Sequence, residues 1–210
     1  MLALQGDFRE HAVCLRALNV DTREVRHAHQ LDGLDGLIIP GGESTTIARL
    51  LLAYDLHEPI RRLGQNGFPL WGTCAGAILL ADDPHGLDRP ALNLLPMSVD
   101  RNAFGRQIDS FEADIAAPQL GPAPYHAIFI RAPRIRRVAD DVDVLMALDG
   151  EPVAVRYGAL LATTFHPELT DDLRLHRYFI DHCVRPPLSL AHGVDRTVVT
   201  DTTTNDVGVA

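Results

Sequence analysis

Residues 69–81 read "PLWGTCAGAILLA": an apolar run, Gly72, a lone thiol at Cys74, Gly76, and a second apolar run. G-T-C-A-G has the form of a nucleophile elbow, G-x-S-x-G, with sulfur in place of oxygen. In that motif a strand turns sharply into a helix and small neighbours let the middle side chain project from the sheet. The stretch therefore predicts strand, turn and helix in succession, with the helix over Ala75–Ala81. Upstream, short apolar runs alternate with amphipathic stretches: "MLAL" then Phe8–Leu18, "GLIIP" then Ser44–Tyr54. Continuous Leu/Ile runs bounded by Gly and Pro read as buried parallel strands, which need helical crossovers. The fold class is α/β: a doubly wound, mainly parallel central sheet flanked by helices in a flavodoxin-like three-layer sandwich. In such sheets ligands bind outside the carboxyl ends of the strands, where "LQGD", "PGGES" and "GTCAG" all fall.

Downstream, "LNLLPMSV", "SFEADI", "AIFIRA", "VDVLMAL", "PVAVRYG" and "LLATTF" are strand candidates separated by turn signals, read as edge and later strands of the same sheet. Asp171–Val184 has helical spacing and an acidic start, and predicts a closing helix. Residues 1–185 are expected to form one domain, because 210 residues suit a single core. Residues 186–210, Thr- and Asp-rich without periodicity, are expected to be a disordered tail. The "MLAL" strand is short for a central position, which leaves open a natural start upstream of Met1.

A hydrophobic fraction of 46% with 22% charged residues is that of a globular protein, and a net charge of −9 argues against nucleic acid or an anionic membrane as partner. Cys14, Cys74 and Cys183 are odd in number and lack metal-ligand spacing, so neither a disulfide framework nor a zinc site is suggested. With no targeting segment and no apolar run long enough to span a bilayer, the expected location is the reducing cytoplasm. No metal and no organic cofactor are expected.

Cys74 at a helix start would be favoured as the thiolate, the attacking form. The bland alternative, a small buried hydrophobe, is the reading for Cys14 and Cys183, which lie in amphipathic helices without glycine turns. A cysteine nucleophile needs a base and the base an orienter. "TTFHPEL" offers both: His166 at the end of an apolar run, Pro167 holding it out of the helical region, and Glu168 two residues on. The other nine histidines lie mostly in polar or helical contexts, and His27, His29, His57, His85 and His192 are read as solvated. "IIPGGEST" supplies a glycine turn with Ser44 placed to cap the next helix. The amides of Gly42 and Ala75 are the expected oxyanion donors, although the loop could equally be a plain turn or an anion cradle.

"LALQGDFREH", "PGGEST", "GTCAGAILLA", "RNAFGRQIDSFEADI", "AIFIRAP" and "TTFHPELTDDLRLH" together closely resemble the glutaminase subunits of pyridoxal 5′-phosphate synthases, which are class I triad glutamine amidotransferases. The likeness runs from about residue 2 to 184. It implies hydrolysis of L-glutamine to glutamate and ammonia through a γ-glutamyl thioester, with ammonia passed to a barrel-shaped synthase subunit in a large hetero-oligomer. It assigns Cys74 as nucleophile, His166 as general base and acid, and Glu168 as orienter. Gly42, Glu43, Ser44, Arg101, Ile130 and Arg131 become glutamine-binding positions, and Gln5 is linked to activation of the oxyanion loop. Arg131 taken alone also reads as a strand-end surface charge. The competing readings are a triad glutaminase serving another synthase and a catalytically silent partner subunit.

Overall fold

The computed structural model describes residues 1–101 and 110–185. It opens with α1 (Phe8–Ala17), followed by β1 (Leu37–Ile39), α2 (Ser44–Ala53), α3 (His57–Gln65), β2 (Leu70–Thr73) and α4 (Ala75–Leu80). Then come β3 (Ala81–His85), β4 (Leu95–Asp100), β5 (Ser110–Ile115), β6 (Tyr125–Ile130), β7 (Arg134–Val138), β8 (Asp143–Leu148), β9 (Glu151–Tyr157), β10 (Leu160–Thr163) and α5 (Arg174–Tyr178).

The central sheet has the order β1-β2-β10-β9-β8. Its first two pairings are parallel and its last two antiparallel. The parallel half follows from the crossovers. The antiparallel half follows from a hairpin: Asp149 (φ 51°) and Gly150 (φ 81°) form the two-residue Asp-Gly turn that joins β8 to β9. The sheet is thus mixed, with the parallel strands carrying the site.

Alternation along the strands sends side chains to two layers. Leu37, Ile39, Leu70, Leu160 and Ala162 pack with α2, α3 and α4 residues such as Ile47, Leu51, Ile60 and Leu79. Ile38, Trp71 and Leu161 pack with Ala12 and Leu15 of α1 and Leu175 of α5. That is the expected three-layer arrangement.

Several expectations need correction. "MLAL" forms no strand; residues 1–3 are threaded between Val25 and β1, with Leu2 N–H donating to Ile38 O (2.9 Å) and a single parallel bridge from Leu2 to Val25. Beyond Ala3 the chain leaves the sheet to carry Gln5 and Asp7 to the cleft. The later strands do not all join one sheet: β3-β4-β7 and β5-β6 are separate small sheets, and only β8, β9 and β10 extend the central one. α3 lies unanticipated between α2 and β2, and Ala81 opens β3 rather than ending α4. The closing helix starts at Arg174, whose N–H is taken by the Asp172 carboxylate (3.0 Å), and continues as π-helix over Phe179–Val184. The expected tail, 186–210, and residues 102–109 of "RNAFGRQID" lie outside the described residues. No helix among the described residues is long and apolar enough to cross a membrane.

Candidate active site

β2 delivers Cys74 at φ 47°, ψ −102°, a left-handed φ that a non-glycine residue adopts only where its surroundings enforce it. The enforcement is visible. Cys74 N–H donates to Thr163 O on β10 (2.8 Å), and Ala77 N–H donates back to Cys74 O (3.1 Å). A Cβ on Gly72 would stand 2.4 Å from the Gly76 carbonyl, and one on Gly76 would stand 2.1 Å from Ile39 O. Both glycines are needed because α4 lies directly on the backbone of β1 and β2. The thiol faces Ile130 O, 3.9 Å away.

His166 arrives just past β10, its N–H held by Ile128 O (2.9 Å) and its backbone at ψ 85°, outside the helical region that the following proline disfavours. The 3₁₀ turn Pro167–Leu169 then folds Glu168 beneath the ring, where His166 Nδ1 donates to Oε1 (2.8 Å). That leaves Nε2 free for the thiol side. Asp7 Oδ2 also lies 3.5 Å from Nδ1, a second carboxylate that sequence reasoning missed although it sits in the quoted "LQGD". Burial weighs against charge on His166, yet hydrogen bonds with Asp7, the Cys74 thiol and Glu168 push its pKa up to about 12. Burial alone would raise Glu168; the neighbouring His11, then His166, outweigh it and hold the carboxyl well below the usual range. Asp7, His166 and Glu168 offer possible metal-ligand atoms within 4.8 Å of one another, but their hydrogen bonding and charge are mutually matched.

The turn after β1 forms the facing wall. Gly42 takes φ 153°, and a Cβ there would stand 2.5 Å from Gln5 Oε1, which accepts from Glu43 N–H (2.8 Å). Ser44 is not the helix cap. Glu43 is: its extended backbone lets its longer side chain fold back to accept from Thr45 N–H (3.2 Å) and Thr46 N–H (2.7 Å). The same carboxylate pairs with Arg101, positioned by Arg101 N–H to His85 O (3.1 Å) at the end of β4. Ser44, 3% exposed, has its Oγ without a hydrogen-bond partner among the described residues. Arg131 stands exposed past β6 at φ 44°.

These pieces enclose a cleft of about 320 Å³ lined by Gln5, Gly42, Glu43, Ser44, Cys74, Ala75, Arg101, Ile130, Arg131 and His166. Every expected site residue thus lines it, apart from Glu168 behind the ring, and the structure adds Asp7 and Ile78. Cavities of about 400 and 470 Å³ elsewhere are roomier, but neither is lined by a cysteine or a histidine.

Cys14 and Cys183 are buried, as read from sequence, and burial pushes the Cys183 thiol up to about 12. His27, His29 and His85 are exposed, His57 is half-buried with Nε2 3.0 Å from Ala91 O, and His192 lies outside the described residues. His11 and His176 are fully buried behind Glu168. Their only sequence signal was a histidine on the core face of an amphipathic helix.

A thiol elbow, an imidazole and a buried carboxylate at the carboxyl rim of a mixed α/β sheet are the features of a class I glutamine amidotransferase fold. The SNO glutamine amidotransferase family matches residues 1–185, and the chain belongs to that family. It is 55% identical over 180 residues to the pyridoxal 5′-phosphate synthase subunit PdxT of Moorella thermoacetica, covering 86% of this chain and 96% of that one. It is 52% identical over 183 residues to the subunit of the same name from Thermus thermophilus, covering 86% and 95%. A solved glutamine amidotransferase structure superposes with a TM-score of 0.80 at 50% identity, covering 85% of this chain and 95% of the other.

Proposed function

We propose that this chain is the glutaminase subunit of a pyridoxal 5′-phosphate synthase, hydrolysing L-glutamine to L-glutamate and ammonia and delivering the ammonia to a synthase subunit. The carrying observation is the cleft in which the Cys74 thiol, the His166–Glu168 pair and an unpartnered Ser44 hydroxyl meet. Family membership and the naming of relatives as synthase subunits support the partner. The family match over residues 1–185 supports placing the whole glutaminase unit there, and cytoplasmic operation fits a partner that consumes its product.

In this reading His166 Nε2 already holds the proton given up by Cys74, and the Cys74 thiolate attacks the side-chain amide carbon of glutamine. Negative charge develops on the amide oxygen, and the amides of Gly42 and Ala75 are its donors. The C–N bond then breaks, the nitrogen leaves as ammonia with the proton from His166, and a γ-glutamyl thioester remains. Water, deprotonated by His166, attacks the thioester; the C–S bond breaks and the thiol regains its proton. Glu168 holds the ring in one tautomer and stabilises the imidazolium. Arg101 and Arg131 are the cations for the substrate α-carboxylate, with Glu43 and the Ile130 backbone beside the α-ammonium. Ser44 gains from substrate the partner it lacks. Gln5 latches the 41–43 turn through Glu43 N–H, and docking of the synthase subunit is the event that sets this turn for oxyanion binding.

The test is glutamate release by the chain alone and with its cognate synthase subunit, with Cys74→Ala as blank. Release that rises on mixing and vanishes in the variant supports the reading. No release in any mixture, with a synthase competent on free ammonia, overturns it in favour of a silent subunit.

A further inference from the structure

Glu168 offers His166 only one oxygen. The other, Oε2, is buried and makes no well-aligned hydrogen bond among the described residues; it faces His11 Nε2 at 3.2 Å, with both side chains fully shielded from solvent. A buried carboxylate oxygen left without a donor or a positive partner is costly, so this contact carries weight beyond packing. His11 Nε2 also lies 3.2 Å from Thr73 Oγ1, and Nδ1 lies 3.0 Å from His176 Nε2. The Trp71 ring meets both imidazoles edge-on, with centroids 5.6 and 4.9 Å away. The groups around His11 are therefore Glu168 from the 167–169 turn, Thr73 and Trp71 from β2, and His176 from α5, while Cys14 on its own helix feels the Glu168 charge.

The network fixes the protons. Burial, then the neighbouring His11, hold His176 down at about 3, so it is neutral near pH 7. His176 Nδ1 has no hydrogen-bond partner among the described residues. A buried bare acceptor is better tolerated than a buried orphan N–H, so the His176 proton sits on Nε2 and is donated to His11 Nδ1. The His11 proton is thereby placed on Nε2, facing Glu168 and Thr73. This repeats one step deeper what Glu168 does for His166: a partner on one ring nitrogen decides what the other nitrogen can do.

We propose that His11 is a positioning residue for the Cys74–His166–Glu168 reaction, keeping Glu168 ionised and aimed at His166, and that His176 sets the tautomer in which it does so. This rests on the glutaminase reading. Without His11, Glu168 binds a proton more readily and the imidazolium of His166 is less stable, so the thiolate–imidazolium pair gives way to neutral thiol and imidazole and the thiolate forms only at higher pH.

The experiment compares wild type, His11→Leu and His11→Gln, whose amide nitrogen reaches the place of imidazole Nε2. Two readouts are taken: glutamate release with the synthase subunit, and iodoacetamide alkylation of Cys74 by peptide mass spectrometry from about pH 4 to 9. The leucine variant is expected to lose roughly ten- to hundredfold in kcat with KM within about twofold, and to move the acid limb of alkylation upward by about one pH unit. The glutamine variant is expected to recover both. A folded leucine variant whose acid limb and kcat match wild type overturns the proposal, as does equal impairment of both variants with the limb unmoved, which is the signature of packing alone. If the leucine variant does not fold, His176→Phe removes the donor to His11 Nδ1. It should shift the limb the same way, and an unmoved limb overturns the proposal. Wild type that releases no glutamate with a competent synthase overturns the glutaminase reading instead, while the alkylation profiles still decide the role of His11.

Discussion

Gly76→Ala adds one methyl group to the most crowded point of the elbow, and its effect can be worked from the geometry. The new Cβ would stand 2.1 Å from Ile39 O and 2.9 Å from Ile39 C, while ordinary contact begins at 3.4 Å. The oxygen belongs to the β1 backbone, locked by its parallel pairing to β2, so it cannot rotate away as a side chain would. α4 must retreat by about 1.3 Å to restore contact distance, and Cys74 sits directly at its start. Overpacking of this kind costs about 1–3 kcal/mol, which in a domain of this size lowers Tm by roughly 2–10 °C. The larger consequence is kinetic: displacing a nucleophile by about 1 Å is worth roughly a hundredfold in rate. Glutamate release with the synthase subunit should therefore fall about a hundredfold in a protein that still melts cooperatively, and Cys74 alkylation should slow as well. Wild-type kcat in Gly76→Ala would refute the argument that helix–strand contact sets the thiol's position.

Two further outcomes follow from buried groups. Ser44→Ala removes a hydroxyl that has no partner among the described residues, so thermal stability should hold or rise slightly while KM for glutamine rises several-fold; a loss of stability with unchanged KM would contradict the substrate role. His176, held at about 3 against an ordinary 6.5, takes up its proton in the unfolded chain first, so stability is lost as pH falls through that interval. Glu168, held below its ordinary 4.5, adds a second loss below that pH. Unfolding free energies from urea titrations should fall between pH 6.5 and 4.5 by up to about 1.4 kcal/mol per pH unit from His176, and His176→Phe should flatten that stretch relative to wild type; parallel slopes would count against it.

How legible each part was in the sequence depended on how local its cause is. The elbow could be read because Gly72 and Gly76 answer a contact within one strand–helix corner, and the turn at Pro167 could be read because proline restricts the residue before it. The sheet assignment of residues 92–165 could not. Every strand there but β7 announces itself by its own apolar pattern; β7 (RIRRV) has almost no apolar signal, and which strands pair depends on what β3, β4 and β7 can cover. The helix cap failed for a similar reason. A serine after Pro-Gly-Gly-Glu is the usual capping residue, but an extended Glu43 reached the same amides while also meeting Arg101, a partner 58 residues away.

The missed residues make the same point about the site. Cys74, His166 and Glu168 occur in motifs because their neighbours in sequence shape them. His11 and His176 belong to helices at opposite ends of the described chain, 165 residues apart, and meet only because α1 and α5 cover the same face of the sheet. On a helical wheel each is an unremarkable core position, and a histidine there reads as a tolerated polar residue. What turns the pair into part of the site is the direction of Glu168: its 3₁₀ turn points one oxygen at His166 and the other inward, so the covering layer has to answer a charge. A buried carboxylate in a motif therefore carries a general demand on the opposite layer, and in this chain that demand falls on α1 and α5, the helices that cover that face of the sheet.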